Sequence, residues 1–462
     1  MKLPVVALAL LAVLSSCAAV QERAEATSPP PGAPLAIIGV TVLTMANAAP
    51  LADRTVIVRE GRIAAIGPRR QMRVPRGAQT IDGRGRYLMP GLADMHVHLE
   101  YIEDPDVLKL FVASGVTTVR SMDGRPFILE WRERVRAGEL VGPRIITAGP
   151  IIDGSPPARE DNLAVADAAS ARAAVAAQAA AGYDFIKLYS NLSPEAYAAA
   201  LGEARERRLR VAGHVARAVP LEAAVASQWS IEHLGDFASA VAAQGGSPTP
   251  AWARRALAAP LDSQRLDALA RRLAATQVWV VPTAIQQDRW LAPPATVQSW
   301  LAEPSIRHLP SSVLAQWRAP MERLSARMDD DDWALLERAR RNRLAVIAAL
   351  HRAGVRLAIG SDTPNPFVAM GASVHLELAN FVAAGLSPAD ALEAATVDAA
   401  RMLGLEVEQG TVEVGKRADL LLLARNPLDD SANASAIVGV VLGGRWFDEQ
   451  ALRAMSQDLG RP

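Results

Sequence analysis

The chain has 462 residues, half of them apolar and 21% charged, with 49 basic side chains balanced by 49 acidic ones. That length supports a large core and exceeds one small domain, and the composition excludes a disordered or fibrous polymer. Zero formal charge, with no basic block and no interleaved aromatics, excludes nucleic acid as the expected partner.

The first element predicted is a targeting segment. Lys2 gives a small positive start, and residues 5–14 form an apolar run too short to span a bilayer. Leu14-Ser15-Ser16-Cys17 resembles a bacterial lipobox, in which the cysteine is lipidated and becomes the new N-terminus. The alternative is an ordinary leader cleaved at the small residues Cys17-Ala18-Ala19. Either way the sequence predicts an exported bacterial protein, periplasmic or held at the outer membrane, with the lipid anchor as its membrane contact. Cys17 is the only cysteine, so no disulfide can form within the chain. Residues 18–34, rich in Pro, Ala and charge, read as a flexible tether.

Residues 35–87 carry short β segments, AIIGVTVLT, TVIVREGRIAAIG and QTIDGRGRYL, with a hairpin signal at Glu60-Gly61. Residues 409–450 have the same texture in KRADLLLL and IVGVVLGGRWF, and residues 451–462 read as a tail. The two β-rich ends are predicted to pack together as one small composite β-sandwich. Between them, residues 88–408 alternate strand and helix signals. The eight strand segments are LMPGLADMHVH, VTTVRSMD, RIITAGPII, DFIKLYS, RVAGHVA, SIEHLG, WVVPTAI and RLAIGSD. Helical stretches such as residues 164–181 and 194–208 separate them. The fold class is therefore α/β, a closed (β/α)₈ barrel whose active residues sit at strand C-terminal ends. One connection, residues 286–331, is long and carries Trp290, Trp300 and Trp317. It reads equally as a lid over an apolar substrate or as a helical insertion that buries its tryptophans.

Chemistry-bearing side chains recur at the strand ends. His96 and His98 alternate about Val97, so both imidazoles share one face and can bind one ion. His214 and His233 end two later strands, and neutral imidazole is the commonest ligand of zinc-like metals. His308, His351 and His375 lack that placement. Lys187 lies in Phe185-Ile186-Lys187-Leu188-Tyr189, in a chain with only four lysines. An ammonium buried there is costly, which favours the neutral amine. A neutral amine can add carbon dioxide to give a carbamate able to bridge two cations, unless Asp184 or Glu232 simply pairs with it. Asp362 ends the eighth strand, where a carboxylate can bind metal, accept a proton from water and pass it to a leaving nitrogen.

The order HxH, Lys, His, His, Asp resembles the amidohydrolase superfamily. The phrases PGLADMHVH, DFIKLYSN, VAGHV, SIEHL and GSDTP resemble its prolidase and imidazolonepropionase-like branch. The resemblance runs from about residue 35 to residue 447. It implies the barrel with its composite β domain and two divalent metal ions, zinc by default. It further implies His96 and His98 on one ion, His214 and His233 on the other, N-carboxylated Lys187 as bridge, and Asp362 as ligand and general acid and base. The activity implied is hydrolysis of a peptide or N-acyl-amino-acid amide by a hydroxide bridging the two metals. Imidazolonepropionases lack the bridging lysine and use one metal, so Lys187 argues for the two-metal members.

Such a small-molecule or dipeptide substrate carries a free carboxylate and needs a cation or hydroxyl near the metals. Tyr189 shares the facing parity of Lys187 and is a substrate-binding candidate. Arg217 and Arg120 are candidates for a bidentate carboxylate clamp, each with a surface placement as its alternative. His375, in the HLEL phrase, is expected to reach substrate or Asp362, or else to cap a helix. Asp94 shares the parity of His96 and is expected to orient ligands from behind. A one-metal cyclic-amide hydrolase or heterocycle deaminase on the same fold is the second reading. Deaminase relatives place a glutamate three residues past the fifth-strand histidine, where this chain has Arg217. A non-catalytic lipoprotein scaffold is the third. A homo-oligomer is compatible with all three.

Overall fold

The computed structural model describes residues 33–46, 49–243, 257–290, 292–307, 309 and 311–457. The leader, Cys17, nearly all of the tether and His308 lie outside the described residues. No helix among the described residues is long and apolar enough to cross a membrane.

The N-terminal strands are β1 (Leu35–Val42), β2 (Leu51–Arg59), β3 (Arg62–Pro68), β4 (Gln79–Asp82) and β5 (Tyr87–Pro90). They join the C-terminal strands β16 (Leu420–Leu423), β17 (Ile437–Leu442) and β18 (Arg445–Asp448) in one sheet of order β18-β17-β16-β5-β1-β2-β3, with β4 also on β1. The β16–β5 pairing is antiparallel and matches Leu420 with Pro90 and Leu422 with Leu88. The two ends of the chain therefore share one core, in which Ile37, Val56, Ile63, Leu88 and Leu422 are buried. The strands are linked by hydrogen bonds into one continuous sheet. It curls until Arg62 of β3 bridges Arg417, just before β16.

The barrel strands are β6 (Leu92–Val97), β7 (Val116–Ser121), β8 (Arg144–Thr147), β11 (Phe185–Leu188), β12 (Arg210–Gly213), β13 (Ser230–Glu232), β14 (Trp279–Val281) and β15 (Arg356–Leu357). The extra strands β9 (Ile152–Gly154) and β10 (Leu163–Val165) lie beside β11. All the strand pairs among β6, β7 and β8, and all those from β9 to β15, are parallel. Two seams join these groups into a ring. Ala148 bridges Phe185, and the Asp184 amide donates to the Thr147 carbonyl. On the other side Val97 bridges Thr363, and the amides of Met95, Asp362 and His98 alternate in direction with the Ile359, His96 and Thr363 backbone.

The connecting helices follow their sequence signals, with shifted ends. Helix Ala168–Ala181 starts after its Asp167 capping box, so residues 163–165 are free to form β10. Helix Pro194–Glu206 starts on the Ser193 cap with Pro at its first position. Residues 449–457 form a helix, not a tail, burying Leu452 and Met455. The Trp-rich connection is helical, in Ala284–Arg289, Pro294–Leu301, Pro304–Arg307 and Ser311–Ser325. Trp300 and Trp317 flank Phe367, with ring centroids 5.5 and 5.7 Å away, and share its apolar cluster. These two tryptophans bury the insertion itself, while Trp290 is exposed.

Glycine is required where β12 meets the pocket. Gly213 has φ +144°, and a Cβ there would stand 2.0 Å from the Leu188 carbonyl oxygen. That contact lets β11 and β12 close side by side and fixes the next residue, His214. Gly213→Ala is expected to cost about 2–4 kcal/mol through overpacking and backbone strain, read by chemical denaturation, and to lower metal content by moving His214.

Candidate active site

The C-terminal ends of β6, β11, β12, β13 and the segment beyond β15 converge on one pocket. Alternation along β6 turns His96 and His98 inward together, with ring centroids 5.4 Å apart. His233 lies 4.8 Å from His96 and 4.8 Å from His214, so the four rings form a chain across the pocket. Asp362 Oδ1 stands 3.4 Å from His96 Nε2 and 3.3 Å from His98 Nε2, and Oδ2 stands 3.8 Å from His233 Nδ1. Lys187 is 1% exposed and its Nζ makes no hydrogen bond among the described residues.

Each histidine is held from behind. His96 Nδ1 meets Glu232 Oε2 at 2.8 Å and His98 Nδ1 meets Glu100 Oε1 at 2.6 Å. His233 Nδ1 meets the Thr283 hydroxyl at 2.6 Å, and His214 Nδ1 meets the Ser190 hydroxyl at 3.2 Å. For His96 and His98 these bonds leave Nε2 facing Asp362, the arrangement by which proteins orient imidazole ligands. Several strand ends take left-handed backbone here, His233 at φ 66°, Thr283 at 47° and Asp362 at 60°. For a β-branched threonine that conformation is strained, and such strain concentrates at functional sites.

Burial sets the electrostatics. It pushes His96 and His214 well below the ordinary imidazole range, and His233 down as well, so all three rings are neutral with a free lone pair. Burial opposes charge on His98 too, but Glu100 and Asp362 outweigh it and lift the ring to about 10. Burial pushes the Asp362 carboxyl up, yet His96, His98 and His233 outweigh it and hold it below the usual carboxylate range. Burial pulls Lys187 down to about 8 against the attraction of Glu232 and Asp362.

This donor set fits a metal centre. His96 Nε2 and Lys187 Nζ are buried polar atoms without hydrogen bonds, and native structures rarely tolerate such atoms without a missing partner. Donor atoms of His96, His233 and Asp362 lie within 4.8 Å of one another. The proton that the two carboxylates draw onto His98 marks a place where a cation is favoured.

The remaining candidates divide. Tyr189 faces the pocket, its ring 4.2 Å from His214. Arg120 is no clamp. It is fully buried inside the barrel, with Nη2 2.8 and 2.9 Å from the two Glu232 oxygens and Nε 2.6 Å from the Met95 carbonyl. Glu232 is thereby taken, and Asp184 pairs with Arg132 at 3.1 Å, so neither is hydrogen-bonded or ion-paired to Lys187. Arg217 is exposed, donating to Asn191 Oδ1 at 2.6 Å beside a shallow cavity of about 280 Å³. His375 does not reach Asp362 or the pocket. Its Nε2 lies 2.9 Å from the Ser114 carbonyl, at the end of β7 remote from the pocket, because its helix packs on the outer layer. Asp94 binds no histidine ring. Its carboxylate accepts from the Ser361 amide and hydroxyl at 2.9 and 2.5 Å, sewing β6 to the last strand.

Glu232, Glu100 and Thr283 belong to the site and were not assigned to it from the sequence. Glu232 and Glu100 each lie next to or near a singled-out histidine, which was the available signal. Thr283 falls in the segment read as the seventh strand, where its place near the strand's end was the available signal.

Comparison with known proteins places this geometry. The family model described as "Amidohydrolase family" matches residues 87–447. An imidazolonepropionase of Sphingopyxis alaskensis is 28% identical over 395 residues, 80% of this chain and 86% of that protein. A bottromycin amidohydrolase superposes with a TM-score of 0.73 at 26% identity, over 91% of this chain and 88% of its own. A candidate prolidase from Bifidobacterium longum superposes with a TM-score of 0.67 at 24% identity, over 92% and 99%.

Two outcomes follow from the buried charges. Lys187→Met removes an unsatisfied ammonium, so the metal-free chain is expected to gain about 1–3 kcal/mol and melt higher, while bound metal per chain falls in elemental analysis. Glu232→Gln leaves Arg120 buried without its counter-charge and is expected to cost about 3–5 kcal/mol in a denaturant titration.

Proposed function

The chain belongs to the amidohydrolase family, and on that premise we propose that it cleaves a peptide or N-acyl-amino-acid amide beside a free carboxylate. The family makes it a metal-dependent hydrolase of carbon–nitrogen bonds. The finer reading rests above all on Lys187, a buried amine with no hydrogen bond, deep among the strand-end histidines. In this reading His96 and His98 would hold one ion with Asp362, His214 and His233 would hold the other, and Lys187, as its carbamate, would be a ligand to both. Zinc is the ion that imidazole-rich sites favour.

When bound, the two ions supply an electrophile for the substrate carbonyl and a water acidic enough to attack at neutral pH. The chain's own residues do the rest. Asp362 stays ionised because its surroundings, the charged His98 among them, hold its carboxyl below the usual range. Its Oδ2, with the His233 ring at 3.8 Å, takes the proton from the attacking water and returns it to the leaving nitrogen. Glu232, Glu100 and Thr283 fix three of the imidazoles, so no reorganisation is needed as charge develops on the substrate oxygen. Burial of Lys187, by pulling it down to about 8, raises the fraction of neutral amine that carboxylation requires.

Hydrolysis of a cyclic amide is the second reading, favoured by the similarity to imidazolonepropionase. Lys187 speaks for the first, and Arg217, where deaminase relatives place an acid, speaks against deamination. The leader further supports an exported enzyme, lipidated at Cys17.

Zinc- and bicarbonate-treated protein is incubated with pooled dipeptides, N-acyl amino acids and lactams, and the products are identified by mass spectrometry. Release of a defined set of amino acids is expected, with Asp362→Asn about 10²–10⁴-fold slower. Turnover of lactams alone would transfer the assignment to ring opening.

A further inference from the structure

Arg159 lies on the loop after β9, and that loop is built to hold it still. Asp153, fully buried, accepts from the amides of Gly154, Asn191 and Ala158 at 2.9, 2.7 and 2.6 Å and from Asn162 Nδ2 at 3.1 Å. Four donors on one carboxylate fix both ends of the segment that presents Arg159. The guanidinium reaches the tyrosines that line the pocket's rim of histidines. It donates to the Tyr101 hydroxyl and stacks 5.5 Å above the Tyr101 ring. Tyr101 in turn packs 5.6 Å from His98, while Tyr189 packs 4.2 Å from His214. Arg159 lies within hydrogen-bonding range of Tyr189 as well. Arg159 is thus one aromatic ring away from the histidines at both ends of the chain of imidazoles.

The charge on Arg159 is only partly committed. Asp161 accepts from its Nε and Nη2, each at 3.2 Å, in the geometry of a planar fork. Nη1 bonds neither Asp161 nor Tyr101, and the side chain is 37% exposed. The other arginines at hand are spent differently. Arg120 is sealed against Glu232, and Arg217 donates to Asn191 at the surface.

We propose that Arg159, with Tyr101 and Tyr189 as flanking posts, is the residue that selects substrates by their carboxylate. This deepens the amidase reading above and rests on it for the position of the scissile bond. An incoming carboxylate takes Nη1 and competes with Asp161 for the fork, so Asp161 holds the arginine extended in the free enzyme. Selection by charge requires a positive group that is pre-placed and still has a donor to give, and Arg159 meets both conditions.

Binding separates this proposal from the catalytic one. Metal-free full chain is dialysed to equilibrium against a set of N-acetyl-L-amino acids and their carboxamides, and retained compounds are measured by mass spectrometry. Wild type is expected to retain acids about tenfold or more over matched carboxamides, Arg159→Met to lose that ratio, and Arg159→Lys to keep part of it. With zinc, Arg159→Met is expected to raise KM for acids about 10–100-fold with little change in kcat, leaving neutral substrates unaffected. A wild-type protein without acid preference, or a variant that loses acids and carboxamides equally, overturns the proposal. Acid preference without any amide turnover keeps Arg159 as anchor and overturns the amidase reading instead.

Discussion

The buried Arg120–Glu232 pair is the interaction on which the site depends. Both side chains are 0% exposed. Such charges survive away from water only when every polar atom is matched. Arg120 answers Glu232 with Nη2, Ser230 with Nη1 and the Met95 carbonyl with Nε, and rests against the rings of Phe185 and Trp229. Glu232 spends its second oxygen on His96. One buried pair thereby ties β6, β7, β11 and β13 together and sets the imidazole that faces Asp362. Burial pushes the Glu232 carboxyl up, but Arg120 and Lys187 outweigh it, so Glu232 stays an acceptor.

Against that compensated pair, Lys187 stands out. The same interior that satisfies Arg120 leaves Lys187 Nζ without a hydrogen bond. A fold selected for stability alone would place a methionine or leucine there. An uncompensated amine next to neutral imidazoles marks a cost kept for chemistry, as do the left-handed His233, Thr283 and Asp362. At the strand ends the left-handed backbone and the buried atoms without hydrogen bonds, His96 Nε2 and Lys187 Nζ, fall within one pocket.

The sequence carried the barrel because parallel strands buried on both faces read as short apolar runs, and histidines at their ends break those runs visibly. HxH was legible through the period of two along a strand, and Lys187 through its apolar neighbours. Arg120 was misread because a buried arginine needs a partner 112 residues away, which no local pattern shows. The insertion lost its periodicity to prolines and short helices, and two of its three tryptophans turn toward Phe367, a residue from beyond the last strand. Arg159 had no signal, since its value comes from the four hydrogen bonds of Asp153 and from two tyrosines on other loops.

The HLEL phrase shows how a motif can point correctly and name the wrong atom. His375 faces the outer layer, but Glu377, one helical step on, is fully buried and accepts from the Ala284 and Ile285 amides at 2.8 Å each. Those amides open helix Ala284–Arg289, whose N-cap is Thr283. A carboxylate there satisfies orphan donors and complements the helix dipole, although burial pushes Glu377 up to about 8. The capped helix holds Thr283 in its left-handed conformation, and the Thr283 hydroxyl holds His233. Glu377 therefore acts on the pocket through three consecutive rigid steps, from the helix after the last strand to an imidazole at the end of β13. The pocket's geometry thus depends on this outer helix as well as on the strands that carry its ligands.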